Sequence, residues 1–371
     1  MRVLLVTTWF PSIAAPVSGS FVAKDARLLA EQHDVHVVHL GSPSLLSADD
    51  PEADLNRPYR VTRIPMSTSS PVAIARAGRQ LKALLTEADV LHTQAFSALL
   101  PFATLRVGVP WVHTEHWGVI SSPPGTGVMR FALPPLLRLL RRPDIVTAVC
   151  DYLAQPIRRV RSGPTRVVPC IVASPDVVES RPARSQPALV SVGALNAHKG
   201  PLLAVAAVQL LRERGVDVTL RWIGDGPQSA EAAEAASEAG LSGIVQFVGS
   251  KPPVEVFEEL ARADLFLLPT LSENFCVSAA EAIVHGCPVV VGATGGQGEY
   301  ITPINGFLVE ERTPEAYADA VQRMLGRNPK PTAQEIAATI GDSFSPQTVL
   351  QAYTVAYEDA SRAHASQPST S

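Results

Sequence analysis

Cysteine is scarce in this chain. Only Cys150, Cys170, Cys276 and Cys287 occur, with no CxxC pair and no histidine cluster beside them. A disulfide-stapled scaffold and a structural zinc site are thereby excluded, and free thiols in a reducing compartment are expected. No run of 18 apolar residues is present, so no membrane-spanning helix is expected. The opening MRVLLVTTWFP is too short for a signal-peptide core or a membrane span and fits a first buried strand instead. The expectation is a soluble, cytoplasmic protein. Positive charge is not in excess either: the net charge is −4, which argues against nucleic acid as a partner. No G-x-G-x-x-G follows the first strand of either half, against a nicotinamide or flavin enzyme, and no G-x-x-x-x-G-K-[ST] is present, which removes a P-loop NTPase.

What is present is a large apolar fraction. At 371 residues, 46% apolar and 18% charged, the chain can bury the cores of two domains of common size. Strand and helix candidates alternate. Val3 to Val6, Val35 to Leu40, Arg60 to Ile64, Val90 to His92, Trp111 to Thr114 and Ile145 to Val149 read as strands. Phe21 to Glu31 and Val72 to Thr86 read as helices, and Gly41 to Arg57 as a polar loop. After an irregular stretch from Ala173 to Gln186 the alternation resumes, with strands at Ala188 to Val192, Thr219 to Ile223 and Val245 to Val248. Helices at Leu202 to Arg214, Ser229 to Ala239 and Val254 to Ala261 separate them, and Pro314 to Leu325 and Pro346 to Arg362 close the chain. The fold class is α/β, with two doubly wound, Rossmann-like domains of parallel sheet and a ligand cleft expected between them. The expected limits are 1–172 and 188–345, a linker at 173–187, a final helix at 346–364 and a frayed tail at 365–371.

The stretch from Leu265 to Glu299, LFLLPTLSENFCVSAAEAIVHGCPVVVGATGGQGE, carries the densest signal. Asp264 to Leu268 is a short apolar run ending at Pro269, and Pro288 to Val291 is another; both suit buried parallel strands. Phe275 to His285 between them reads as a helix stopped by Gly286. The loop before that helix lies at the carboxyl end of a strand, where open α/β sheets bind ligands. It holds Glu273, and Glu281 follows eight residues later inside the helix. At a rise of about 1.5 Å per residue that spacing separates two carboxylates by up to roughly 12 Å. Between them come the first amides of the helix, around Cys276 to Ser278, where the helix dipole favours an anion. Hydroxyls, anion, hydroxyls is the pattern of a nucleotide sugar.

Glu273, seven intervening residues and Glu281 resemble the EX7E motif of the retaining glycosyltransferases of family 4, which have the GT-B fold. The flanking LLPT, HGCPVVV and ATGGQGE are similar to that family as well. The alternative for the pair alone is one exposed loop glutamate and one solvated helix glutamate. In SVGALNAHKG, from Ser191 to Gly200, Lys199 precedes a helix and is one of only five lysines. The resemblance implies that Lys199 neutralises the diphosphate leaving group and that Gly193 forms the turn; the other reading is a solvated lysine. Ala194 stands where the family usually has an arginine, and Cys170 in PCIV where it often has asparagine. Gly19, ending the loop WFPSIAAPVSGSF, resembles the family's first glycine loop, and His116 in HTEHW matches its T-x-H segment. His92 matches a family position too, but Gln94 replaces a frequent second histidine, and a structural role is expected for His92. Gly224 in GDGP resembles a cleft-shaping turn, with Asp225 expected to cap the next helix. Gly295, Gly296 and Glu299 match the segment following the last cleft strand.

The resemblance implies transfer of a sugar from a UDP- or GDP-sugar to an acceptor hydroxyl, with retention at the anomeric carbon. Glu273, His116 and Lys199 would be catalytic. Donor contacts would come from Glu281, Gly19, Asn274, Phe275, Cys276, Val277, Ser278, Gly193 and Gly224. No resident cofactor and no metal are expected. The acceptor, whether a small molecule, a glycan or a lipid-linked sugar, is not encoded legibly. Met129 to Arg166 carries eight arginines against two aspartates, with the apolar FALPPLLRLLRR among them. A peripheral membrane surface, an anionic-acceptor site and a solvated helix face are the three readings. The rivals to transfer are a nucleotide-sugar epimerase or hydrolase of the same fold and a non-catalytic nucleotide-sugar-binding protein.

Overall fold

The computed structural model describes residues 1–15, 18–44, 46, 57–122, 128–181 and 184–366. The chain divides into two compact units, Met1–Ile171 with Pro346–Ser371, and Val172–Ser345. Expectations for most of the loop Gly41 to Arg57, for the end of the Gly118 to Gly127 segment and for the last five residues lie outside the described residues.

In the first unit the strands are β1 (Arg2–Thr7), β2 (Asp34–Gly41), β3 (Arg60–Pro65), β4 (Val90–Gln94), β5 (Trp111–Glu115), β6 (Ile145–Ala148) and β7 (Thr165–Val167). They form one sheet in the order β3-β2-β1-β4-β5-β6-β7, and every recorded pairing is parallel. β1, β4, β5 and β6 are buried almost throughout, as strands covered on both faces must be. The helix Pro346–Ala365 belongs to this unit and contributes Val349, Leu350, Tyr353 and Tyr357 to the core around Val3, Leu5, Val22 and Leu29. Two tyrosine hydroxyls enter that core with partners. Tyr353 donates to Asp25 at 2.8 Å, and Tyr357 pairs with His92 Nδ1 at 2.8 Å. Gln94 also donates to Asp25, at 3.1 Å.

In the second unit the strands are β8 (Ala188–Val192), β9 (Thr219–Ile223), β10 (Val245–Phe247), β11 (Leu265–Leu268), β12 (Val289–Gly292) and β13 (Gly306–Val309), again parallel, in the order β10-β9-β8-β11-β12-β13. Here the connection direction reverses between β8 and β11. The loops after these two strands therefore emerge side by side, which is where an open sheet leaves room for a ligand. Those loops contain Lys199 and Glu273.

Several elements escaped the pattern, among them two strands and a helix. β7 is a short, largely exposed edge strand of three residues, and β13 is an edge strand whose apolar run is only the three residues after Gly306, so neither leaves a strong local signal. The helix Asp151–Val160 contains Pro156, a breaker in sequence that the helix nonetheless accommodates.

Candidate active site

The helix after β11 starts later than its composition suggests. It spans Val277–Val284, not Phe275 to His285. Cys276 has φ 63°, in the left-handed region, and cannot be the continuation of a right-handed helix. The two preceding carbonyls, of Phe275 and Cys276, both accept from Tyr300 Oη at 2.8 Å, which pins the loop. The glutamates are therefore not eight helical steps apart. Only the last four steps are helical, and Glu273 lies in a loop that bridges to Gly295. A Cβ at Gly295 would come within 1.9 Å of the Glu273 carbonyl oxygen, at a φ of 135°, so only glycine lets the two loops close.

The structure brings Lys199 and Glu273 together. Lys199 Nζ donates to Glu273 Oε1 at 2.5 Å, and the Thr270 hydroxyl donates to the same oxygen at 2.7 Å. Both members of the ion pair are largely enclosed, with side chains 23% and 13% exposed. Burial by itself would lower the Lys199 pKa, but the Glu273 charge outweighs it and holds the ammonium protonated, with a raised pKa. Two carbonyl contacts lace the loops that carry them: Leu271 N–H donates to His198 O at 2.7 Å, and His198 Nε2 lies 2.5 Å from Ser272 O. Arg312 braces the same loop from outside, donating to Ala197 O at 2.7 Å and to Pro269 O at 3.3 Å.

The glycines act through close approach. The aliphatic stem of Lys199 lies 3.6 Å from where a Gly193 Cβ would be, and a Cβ on Gly224 would strike Gly193 O at 2.1 Å. Val277 and Ser278 open the helix, so their N–H groups have no carbonyl one turn earlier within it. Asn274 and Glu281 are half-buried on the loop and the helix.

Two of the expected donor-contact residues turn their side chains into the fold, and one expected cap is corrected. The Phe275 ring is 4% exposed and packs on Tyr300 and Phe344, so its side chain serves the core. The Cys276 thiol is also buried. Burial and the nearby Glu273 charge push its pKa up to about 12, leaving it a protonated neighbour of the ion pair. Asp225 does not cap the helix Ser229–Glu238; its carboxylate accepts from Ser250 N–H at 2.7 Å and ties two loops together.

In the first unit, Gly19 precedes the helix Ser20–Leu29 with φ 64°, and a Cβ there would lie 2.2 Å from the Trp9 carbonyl. His116 follows β5, and its ring packs against Phe21 with centroids 4.5 Å apart. Some surface of the residue remains open, yet Nε2 is shielded, and burial together with His113 pulls the imidazole pKa down to about 3. It is neutral at ordinary pH. His92 is enclosed between Tyr357 and Thr114, the structural place expected of it. Of the eight arginines between 129 and 166, Arg141, Arg142 and Arg161 donate to backbone carbonyls, and Arg158 and Arg166 pair with Asp151 and Asp359. These five are tied down within the fold.

Sequence reasoning missed Thr270, Tyr300 and Arg312. Thr270 lies in the LLPT segment, but nothing in its spacing says that its hydroxyl reaches Glu273. The other two act on loops 25 and 115 residues away in sequence.

Comparison with known proteins bears on the family and the fold. A model of the family "Glycosyl transferases group 1" matches residues 176–339, and one of "Glycosyltransferase Family 4" matches residues 20–173. The 2-deoxystreptamine glucosyltransferase of Streptomyces kanamyceticus is 29% identical over 259 residues, 64% of this chain and 67% of that protein. The GDP-mannose-dependent alpha-(1-6)-phosphatidylinositol monomannoside mannosyltransferase of Mycobacterium tuberculosis is 27% identical over 353 residues, 87% and 89% of the two chains. Among solved structures, sucrose-phosphate synthase from Thermosynechococcus elongatus superposes with a TM-score of 0.77 at 20% identity, over 96% of this chain and 98% of that one. With two Rossmann-like units and both family matches spanning most of its length, the chain is a GT-B glycosyltransferase belonging to family 4.

Proposed function

We propose that this glycosyltransferase takes a sugar from a nucleoside diphosphate sugar, UDP- or GDP-linked, and passes it to an acceptor hydroxyl with retention of anomeric configuration. The observation that carries the reading is the Lys199–Glu273 pair, set by Thr270 beside the start of the helix that bears Glu281. In this reading Glu281 holds the ribose hydroxyls. Glu273 Oε1 is occupied by two donors, which leaves Oε2 for a hydroxyl of the transferred sugar. The remaining protons of Lys199 and the amides of Val277 and Ser278 meet the diphosphate as negative charge builds on it. The bond from C1 to the β-phosphate oxygen breaks, and the acceptor oxygen bonds to C1 on the same face. The acceptor proton passes to the departing phosphate, so no protein nucleophile is needed. The neutral His116 imidazole hydrogen-bonds a hydroxyl of the donor sugar, and Gly19 lets backbone approach the donor.

Metal-independent transfer is part of the proposal, and retained activity with chelator present is its test. The names of two relatives support an acceptor class for this proposal. Deoxystreptamine and phosphatidylinositol monomannoside both contain a hydroxylated cyclohexane ring, so we place this acceptor among cyclitol-bearing molecules.

The test incubates the protein with UDP- and GDP-sugars, with and without cyclitol acceptors and with chelator present, and measures nucleotide release and product anomeric configuration. Acceptor-dependent release with retained configuration is expected. Release without any acceptor identifies a hydrolase, and binding without release identifies a non-catalytic protein. Ala194, where the family's arginine is missing, is the observation that keeps that last outcome in view.

A further inference from the structure

Glu115 is a fully buried carboxylate that the reaction described above does not use. It lies on β5, where alternate residues share a face, so Trp111, His113 and Glu115 line up on one side of the strand. A single hydrogen-bonded chain joins them through Thr93 on the neighbouring β4. Trp111 Nε1 is 2.9 Å from Thr93 Oγ1, which is 2.9 Å from His113 Nδ1. His113 Nε2 is 3.1 Å from Glu115 Oε2. The direction of the chain follows from its ends. An indole N–H can only donate, so Thr93 accepts from Trp111, and its hydroxyl keeps both a proton and a second lone pair with which to meet His113 Nδ1. A carboxylate can only accept, so the contact with Glu115 Oε2 is donated by His113 Nε2. The other carboxylate oxygen, Oε1, accepts the backbone N–H groups of His116 and Trp117, each at 2.8 Å.

We infer that Glu115 is a positioning residue: it clamps the backbone of residues 116 and 117 and so holds the His116 ring on Phe21, two residues beyond Gly19. This rests on the role given to His116 above. Three donors satisfy the buried carboxyl oxygens. The clamp works through the two backbone amides, and an isosteric amide can preserve it. In Glu115→Gln the side-chain oxygen still accepts both N–H groups, and its NH2 donates to His113 Nε2 once that ring moves its proton to Nδ1.

Four groups of measurements test the inference, all on the full chain. Glu115→Ala should lower kcat on the order of 100-fold, the scale of a misplaced catalytic group, with the donor KM within about 3-fold. Glu115→Gln should stay within about 5-fold of wild type, since the amide clamp survives. In the double-mutant cycle, Glu115→Ala combined with His116→Ala should be no slower than His116→Ala alone, because a residue acting through His116 has nothing left to position. In protein labelled at the histidine rings, the His116 resonance should move in Glu115→Ala and stay in Glu115→Gln. Multiplying rate losses in the cycle, an unmoved His116 resonance in Glu115→Ala, or equal loss in both Glu115 variants would overturn the inference. If His116→Ala transfers at the wild-type rate, the role of His116 fails instead, and the ring resonances still decide whether Glu115 holds it.

Discussion

Asp25 should make the stability of this protein fall as pH rises. Its carboxyl is buried in the first unit beneath the helix Pro346–Ala365, and burial raises its pKa from 3.8 to about 7 despite hydrogen bonds from Tyr353 and Gln94 and the charge of Lys24. Below about pH 4 the group is protonated in both the folded and unfolded chain, and it contributes no pH dependence. Between about 4 and 7 the unfolded chain releases the proton while the folded one keeps it, so stability drops. Above 7 the cost is constant. A shift of about 3 units, at 1.36 kcal/mol each, sets that cost at about 4 kcal/mol, an upper figure because the unfolded chain also buries some surface. Asp25→Asn removes the titration while keeping an oxygen for both donors. Urea unfolding of wild type and variant at pH 4.5 and pH 8 isolates the group, because carboxylates with lowered pKa, such as Asp151, act equally on both proteins. The variant should gain on wild type by about 2–4 kcal/mol between those pH values. A difference that is flat with pH, or that runs the other way, would refute the reasoning.

Lys199→Ala should lower kcat about 100-fold or more while the donor Kd changes much less, since the ammonium meets charge that develops as the diphosphate leaves. Glu281→Ala should instead weaken donor binding about 10-fold or more, read by calorimetric titration, through loss of hydrogen bonds to the ribose. Wild-type kinetics and affinity in both would remove the site assignment. At position 276, glycine should be more stable than alanine by about 1 kcal/mol in denaturant unfolding, because both lack the thiol and only alanine keeps the left-handed strain. Alanine equal to or better than glycine contradicts that backbone geometry. Gly295→Ala should cost about 3 kcal/mol or more and abolish transfer, as its Cβ meets the Glu273 carbonyl; near-native stability in that variant would mean the two loops are not packed as described.

The alternation of apolar runs with amphipathic ones was enough to specify parallel α/β units, because strands covered on both faces must be apolar throughout and leave a local trace. Glu273 and Lys199 were legible because each sits at a strand-to-helix turn whose punctuation by glycine and proline is local, and Glu281 because its spacing from Glu273 matches the EX7E motif. What each side chain touches was not. The Lys199–Glu273 pair spans 74 residues, and the Tyr353–Asp25 bond spans 328. Neither pairing has a periodicity to betray it, and only the reversal of sheet order between β8 and β11, and the return of the last helix to the first unit, bring the partners together. Cys276 and Asp225 illustrate the other limit. A left-handed φ at a non-glycine residue, and a carboxylate that ties two loops instead of capping a helix, depend on packing energies that local propensity does not contain.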